Sequence, residues 1–96
     1  MPIVGFAVPE VEKFFREGRV PPRAGWANVA PVALRKLDML EYAEMLSDLV
    51  SPPGNRLEAL RGRLRGLHSI RINDQWRIVF RWTPSGPDAV DIVDYH

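Results

Sequence analysis

The sequence predicts an α+β fold, with two N-terminal helices packed on a twisted antiparallel sheet of about four strands. Three observations carry this. Apolar residues in the first half recur at helical spacing between Pro and Gly punctuation. The stretch Trp76-Arg77-Ile78-Val79-Phe80-Arg81-Trp82 alternates strictly, with large apolar side chains at every even position. Turn chemistry then divides the second half into short segments, so helices come first and a β-meander follows.

The length of 96 residues suits one domain, spanning 1–96, with a modest core. Hydrophobic residues at 46% and charged residues at 26% exclude a disordered chain. With no Cys, disulfides and thiolate chemistry are excluded. No apolar run approaches the roughly 20 residues of a membrane span. Met1 to Pro9 has no basic region followed by an apolar one, so a cytoplasmic location is expected and no membrane partner.

Taken in order, Ile3 to Val8 reads as an extended edge. Pro9-Glu10-Val11-Glu12 opens the first helix, because Pro suits the first turn and acids suit its positive end. Val11, Phe14 and Phe15 form its buried stripe, Arg16 sits in the last turn, and Gly18 stops it. The second helix starts between Ala24 and Asn28 and runs to about Met45. Its stripe is Val29 or Ala30, Ala33, Leu37 and Leu40, with Arg35, Asp38 and Glu41 facing water. Ser47 to Gly54 is a loop, ending on the strong turn signal Ser51-Pro52-Pro53-Gly54. Strands follow over Arg56–Leu60, Leu67–Ile72, Gln75–Trp82 and Ala89–Tyr95, with turns at Asn73-Asp74 and Thr83 to Pro87.

Charge is unevenly spread. From Arg56 to Trp82 seven Arg face two acids, Glu58 and Asp74, for a net +5. The whole chain is +1, so the remainder carries −4. An Arg-only basic segment favours phosphate or carboxylate recognition, because guanidinium donates in a planar fork. On the third strand, Arg77 and Arg81 project from what reads as an open sheet face.

The candidate chemistry is sparse. His68 opens a strand and reads first as a surface or partly packed residue. Asp94-Tyr95-His96 puts a carboxylate, a phenol and an imidazole together after the closing strand, the types that serve acid–base work. Two His without paired spacing and no Cys make no metal ligand set. Nucleotide-binding Gly loops and the Gly-x-Ser-x-Gly elbow are absent. Arg groups plus an imidazole suit metal-free RNA cleavage, in which a 2′-OH attacks the adjacent phosphate and Arg steadies the charge. The same residues also fit a pure RNA-binding or protein-binding module.

A family resemblance narrows this. Pro53-Gly54-Asn55-Arg56-Leu57-Glu58-Ala59-Leu60-Arg61-Gly62, Gly66-Leu67-His68-Ser69-Ile70, Asn73-Asp74-Gln75-Trp76-Arg77-Ile78-Val79-Phe80 and Val93-Asp94-Tyr95-His96 resemble the HigB-type toxins. These are the plasmid-maintenance killer branch of the RelE superfamily. Val11 to Gly18 is similar to that family's first helix. The resemblance implies a RelE-like microbial ribonuclease fold and a ribosome-dependent endonuclease that cuts mRNA in the A site of the small subunit, without a cofactor. It implies a HigA-like helix-turn-helix antitoxin as partner, and operator DNA contact only through that complex. It implies Arg77 as the transition-state Arg, His96 as general acid or base, and Asp94 and Tyr95 as its support. Arg61 would lie on the RNA face, with Arg63, Arg65, Arg71 and Arg81 as less specific RNA or ribosome contacts. The family often carries His where this chain has Glu58; a carboxylate there opposes RNA charge but can serve as a second acid or base.

Overall fold

The computed structural model of the protein describes residues 1–95. Helix α1 spans Pro9–Glu17, with Pro in its first turn, Glu10 and Glu12 at its positive end, and Val11 and Phe14 buried. Gly18 ends it at φ 73°, the left-handed geometry that glycine adopts without strain, and its N–H closes on the Phe14 carbonyl at 2.9 Å.

Helix α2 spans Ala30–Tyr42, led in by a 3₁₀ turn at Ala27–Val29. It stops three residues short of the expected Met45. The cause is Asp48, whose carboxylate accepts the N–H groups of Glu44 and Met45 at 2.9 and 3.2 Å. That cap starts a separate 3₁₀ turn at Leu46–Val50 instead of extending the helix. The expected stripe of Ala30, Ala33, Leu37 and Leu40 is buried. Glu41 departs from its expected water-facing role: its carboxylate accepts the Ile3 N–H at 2.8 Å and ties the chain start to α2.

Four strands follow, β1 (Glu58–Ala59), β2 (His68–Arg71), β3 (Trp76–Thr83) and β4 (Gly86–Asp94), in spatial order β1-β2-β3-β4 and antiparallel throughout. This is the α+β arrangement that the sequence predicts, with two helices on a four-stranded antiparallel sheet. Strand β1 is shorter than expected because Arg56 takes a left-handed conformation (φ 45°), which delays entry into the ladder. One extra residue in β4 makes a bulge: Val79 pairs with Asp91, but Arg81 pairs with Asp88, and Ala89 between them has φ 52°. The segment from Ile3 to Val8 runs along the outer edge of β4, with Val4 N–H on the Pro87 carbonyl at 2.8 Å and Ala7 N–H on that of Val90 at 2.9 Å. Gly86 is required there, since a Cβ would sit 2.4 Å from the Pro2 carbonyl oxygen.

The core lies between the helices and the even-numbered face of the sheet. Ile70, Ile78, Phe80, Val90 and Ile92 meet Ala33, Leu37 and Leu40 from α2 and Val11 and Phe14 from α1. Trp26 closes one end, its ring 4.6 Å from Phe14. One polar pair is buried in this layer: Lys36 donates to Asn55 Oδ1 at 2.6 Å. The Asn55 amide donates to the Leu49 and Ser51 carbonyls at 3.1 and 3.3 Å. Asn55, fully buried, thereby pins the loop before β1. Asn55→Ala should lose about 2–3 kcal/mol, since it strands Lys36 and two carbonyls. Urea unfolding checks this; a loss below about 0.5 kcal/mol would contradict the account.

Candidate active site

The odd-numbered face of β3 carries Arg77, Val79 and Arg81. It is not the open face the alternation predicts. Val79 and Arg77 are only 4% and 8% exposed, and Arg81 alone of the three reaches solvent. A buried guanidinium needs partners, and the surrounding elements supply them. Arg77 Nη1 donates to Ser69 Oγ of β2 at 3.2 Å and to the Arg56 carbonyl at 3.4 Å. It lies 3.2 Å from Glu58 Oε1 of β1. The Tyr95 ring stands 4.5 Å from the guanidinium carbon, a cation–π distance. Tyr95 is carried there because its N–H continues the ladder onto the Gln75 carbonyl.

Asp94 and Tyr95 project to opposite sides, as successive strand residues do. Tyr95 joins Arg77, while Asp94 lies opposite Trp76 and accepts the Gln75 side-chain amide at 3.0 Å. His96 lies outside the described residues.

In front of Arg77 opens a pocket of about 640 Å³, lined by Glu58, Ala59, Leu60, Arg61, Leu64 and Tyr95. Arg61 stands on its wall, and Arg63 and Arg65 extend the exposed basic surface along the 3₁₀ turn at Gly62–Leu64 and just beyond it. The structure does not bring Arg71 and Arg81 to this pocket. Arg71 turns to an ion pair with Asp74. Arg81 lies toward the far end of β3, opposite Asp88. His68 stacks on Phe80 on the other face of the sheet, 6.1 Å between rings. The sequence reading missed Ser69 and the Arg56 carbonyl as partners of Arg77. Ser69 had a signal, being a small hydroxyl residue at an odd position of its strand, beside the core-facing Ile70; the Arg56 backbone had none.

The resolved proton shifts lie elsewhere. Burial raises the Asp91 carboxyl above its ordinary value of 3.8; the Ile92 N–H bond opposes this and Glu10 adds to it. Burial lowers Lys36, and Arg35 lowers it further. Among the described residues no helix is long and apolar enough to cross a membrane.

The pocket, with Arg77 and Glu58 joined behind it, sits on the fold of a known group. The model of the HigB-like toxin family, described as the RelE-like toxin of the type II toxin–antitoxin system HigB, matches residues 5–96. The chain belongs to this family. Over 56 residues it is 46% identical to Toxin HigB-1 of Vibrio cholerae serotype O1, covering 58% of this chain and 59% of that protein. It is 41% identical over 56 residues to an uncharacterized protein of Haemophilus influenzae, covering 58% of this chain and 55% of that one. The chain thus spans between half and two thirds of the length of these relatives.

The Asp91 shift sets a pH test. A carboxyl raised in the folded state binds its proton more tightly there than in the unfolded chain. Stability therefore falls as pH rises from 3.8 through the folded value, and the full penalty applies at neutral pH. Asp91→Asn keeps an oxygen for the Ile92 N–H. It should raise the thermal midpoint at pH 7, with the gain shrinking as pH falls through the carboxylate range. A pH-independent difference, or a loss at pH 7, would contradict the assignment.

Proposed function

We propose that the chain is the toxin of a type II toxin–antitoxin pair and a ribosome-dependent endoribonuclease. It cuts mRNA in the A site by metal-independent attack of a ribose 2′-OH on the adjacent phosphate. The observation that carries this is the nearly buried Arg77 paired at 3.2 Å with the Glu58 carboxylate, behind a pocket whose wall bears Arg61. Family membership supports the toxin role and a HigA-like antitoxin partner.

The residues divide the reaction as follows. Glu58, the carboxylate at the pocket, accepts the proton of the attacking 2′-OH. The O2′–P bond forms as the P–O5′ bond breaks. Protonating Glu58 weakens its pair with Arg77. The guanidinium is thereby released toward the phosphorane oxygens as their negative charge grows. His96 gives a proton to the leaving O5′, and the products are a 2′,3′-cyclic phosphate and a 5′-OH. Tyr95 holds the guanidinium in place and offers a ring for base stacking. Asp94 steadies the strand end that carries Tyr95 and His96. Arg61, Arg63 and Arg65 bind RNA or ribosomal phosphate through charge alone, with Arg71 and Arg81 further out. Such a protein works where ribosomes are, in the cytoplasm, and reaches operator DNA only through its antitoxin.

A second reading follows from the Arg61–Arg65 surface: a module that blocks the ribosome without cutting. One experiment separates the two. Untagged protein acts on programmed ribosomes, with free mRNA as control, beside Arg77→Ala, His96→Ala and Glu58→Gln. The enzyme reading predicts discrete A-site cuts ending in 2′,3′-cyclic phosphate. The rate should fall about 10²–10³-fold without Arg77 and about 10²–10⁴-fold without His96 or the Glu58 carboxylate. Intact mRNA with folded wild-type protein, and growth inhibition abolished only by charge reversal at Arg61, Arg63 and Arg65, would establish the blocking module instead.

A further inference from the structure

A second concavity lies on the outer edge of β4, away from the β1 strand that builds the RNA pocket. It is a groove of about 480 Å³, walled by Val8, Val11, Pro22 and Trp26, with Glu10 and Asp91 on one side. Its position follows from the chain path. The N-terminal segment pairs with β4 only as far as Val90, then lifts at Val8 into α1. Val90 turns its N–H and carbonyl outward, to Gly5 and Ala7, whereas Tyr95 turns its N–H inward to Gln75 of the hairpin. Residues in step with Val90 therefore face outward, and the next of these is Ile92. Its N–H meets no strand; it donates to the carboxylate of neighbouring Asp91 at 2.8 Å. The edge is thus open beside an apolar slot, the geometry that accepts an added strand.

Charge selects the occupant. Among the described residues neither Glu10 nor Asp91 has an ion-pair partner, and the one base on the rim is Arg23. Burial, with Glu10 adding to it and the Ile92 N–H bond opposing it, holds the Asp91 proton tighter than normal. Such a groove repels phosphate and suits a basic peptide. We infer that it takes an extended segment of the antitoxin, laid along β4 beyond Val90. An aliphatic or aromatic side chain of that segment enters between Pro22 and Trp26, and an adjacent Lys or Arg meets Glu10 and Asp91. This rests on the toxin reading above for its partner, but not on the cleavage chemistry.

The test is the binding of the full chain to its co-expressed antitoxin, by co-purification and titration calorimetry. Glu10→Arg, Asp91→Arg and Arg61→Glu stand beside wild type, with hydrogen exchange on the complex. Glu10→Arg lies in an exposed helix turn and keeps the comparison alive if Asp91→Arg misfolds. Each groove reversal should weaken binding at least about tenfold while A-site cleavage stays at the wild-type level. Arg61→Glu should bind as wild type, and exchange at Ile92 should slow in the complex. Wild-type affinity in both groove variants would overturn the proposal. So would loss of binding only in Arg61→Glu, self-association through the groove, or no antitoxin binding by wild type. If wild-type protein binds the antitoxin through the groove but cuts no mRNA, the enzyme reading fails and this one stands.

Discussion

A guanidinium buried in a sheet face is the constraint around which this molecule is arranged. Arg77 sits on the central strand β3 at 8% exposure, where an unpaired charge would cost several kcal/mol. Its partners come from four places in the chain: Ser69 on β2, Glu58 on β1, the Arg56 carbonyl, and the Tyr95 ring past β4. Two of these depend on the loop before β1. That loop is held from the core side by Asn55, which Lys36 of α2 and two carbonyls fix in place. Arg56 then turns left-handed and aims its carbonyl at Arg77. A run of contacts thus joins the helical layer to the proposed reacting centre.

The sheet also separates two electrostatic tasks. Its odd face and the β1 side gather Arg61, Arg63 and Arg65 around the pocket in front of Arg77. The outer edge of β4, with the first turn of α1, carries Glu10 and Asp91. A polyanion is attracted by the first surface and repelled by the second. A basic protein segment prefers the opposite. Asp91 holds its charge at a cost in folding, since burial favours its neutral form.

How much was legible in the sequence depended on whether the signal was local. Helix α1 was readable because Pro9, Glu10, Glu12 and Gly18 each satisfy a terminal need within one turn. The even face of β3 was readable because alternation reports which residues can share a core. The odd face was misread, because alternation cannot say whether a second layer of loop covers the outer side. Arg77 therefore looked solvated when it is nearly buried. The shortness of β1 and the partners of Arg77 rest on a left-handed Arg56, a backbone state that no residue pattern announces. Lys36 and Glu41 were missed as structural residues because their partners, Asn55 and the Ile3 N–H, are distant in sequence. Asp94 and Tyr95 were grouped by adjacency alone; the strand carries Tyr95 to Arg77 and Asp94 to the Gln75 side-chain amide.

The most direct test of the central claim, that the Arg77–Glu58 pair is the anion-binding element, is nuclear magnetic resonance of both side chains during titration with 2′,3′-cyclic mononucleotides. The Arg77 guanidinium nitrogens and the Glu58 carboxyl carbon should shift together along one binding curve as phosphate takes over the guanidinium. Shifts confined to Arg61, Arg63 and Arg65, with Arg77 and Glu58 unmoved at saturation, would contradict it.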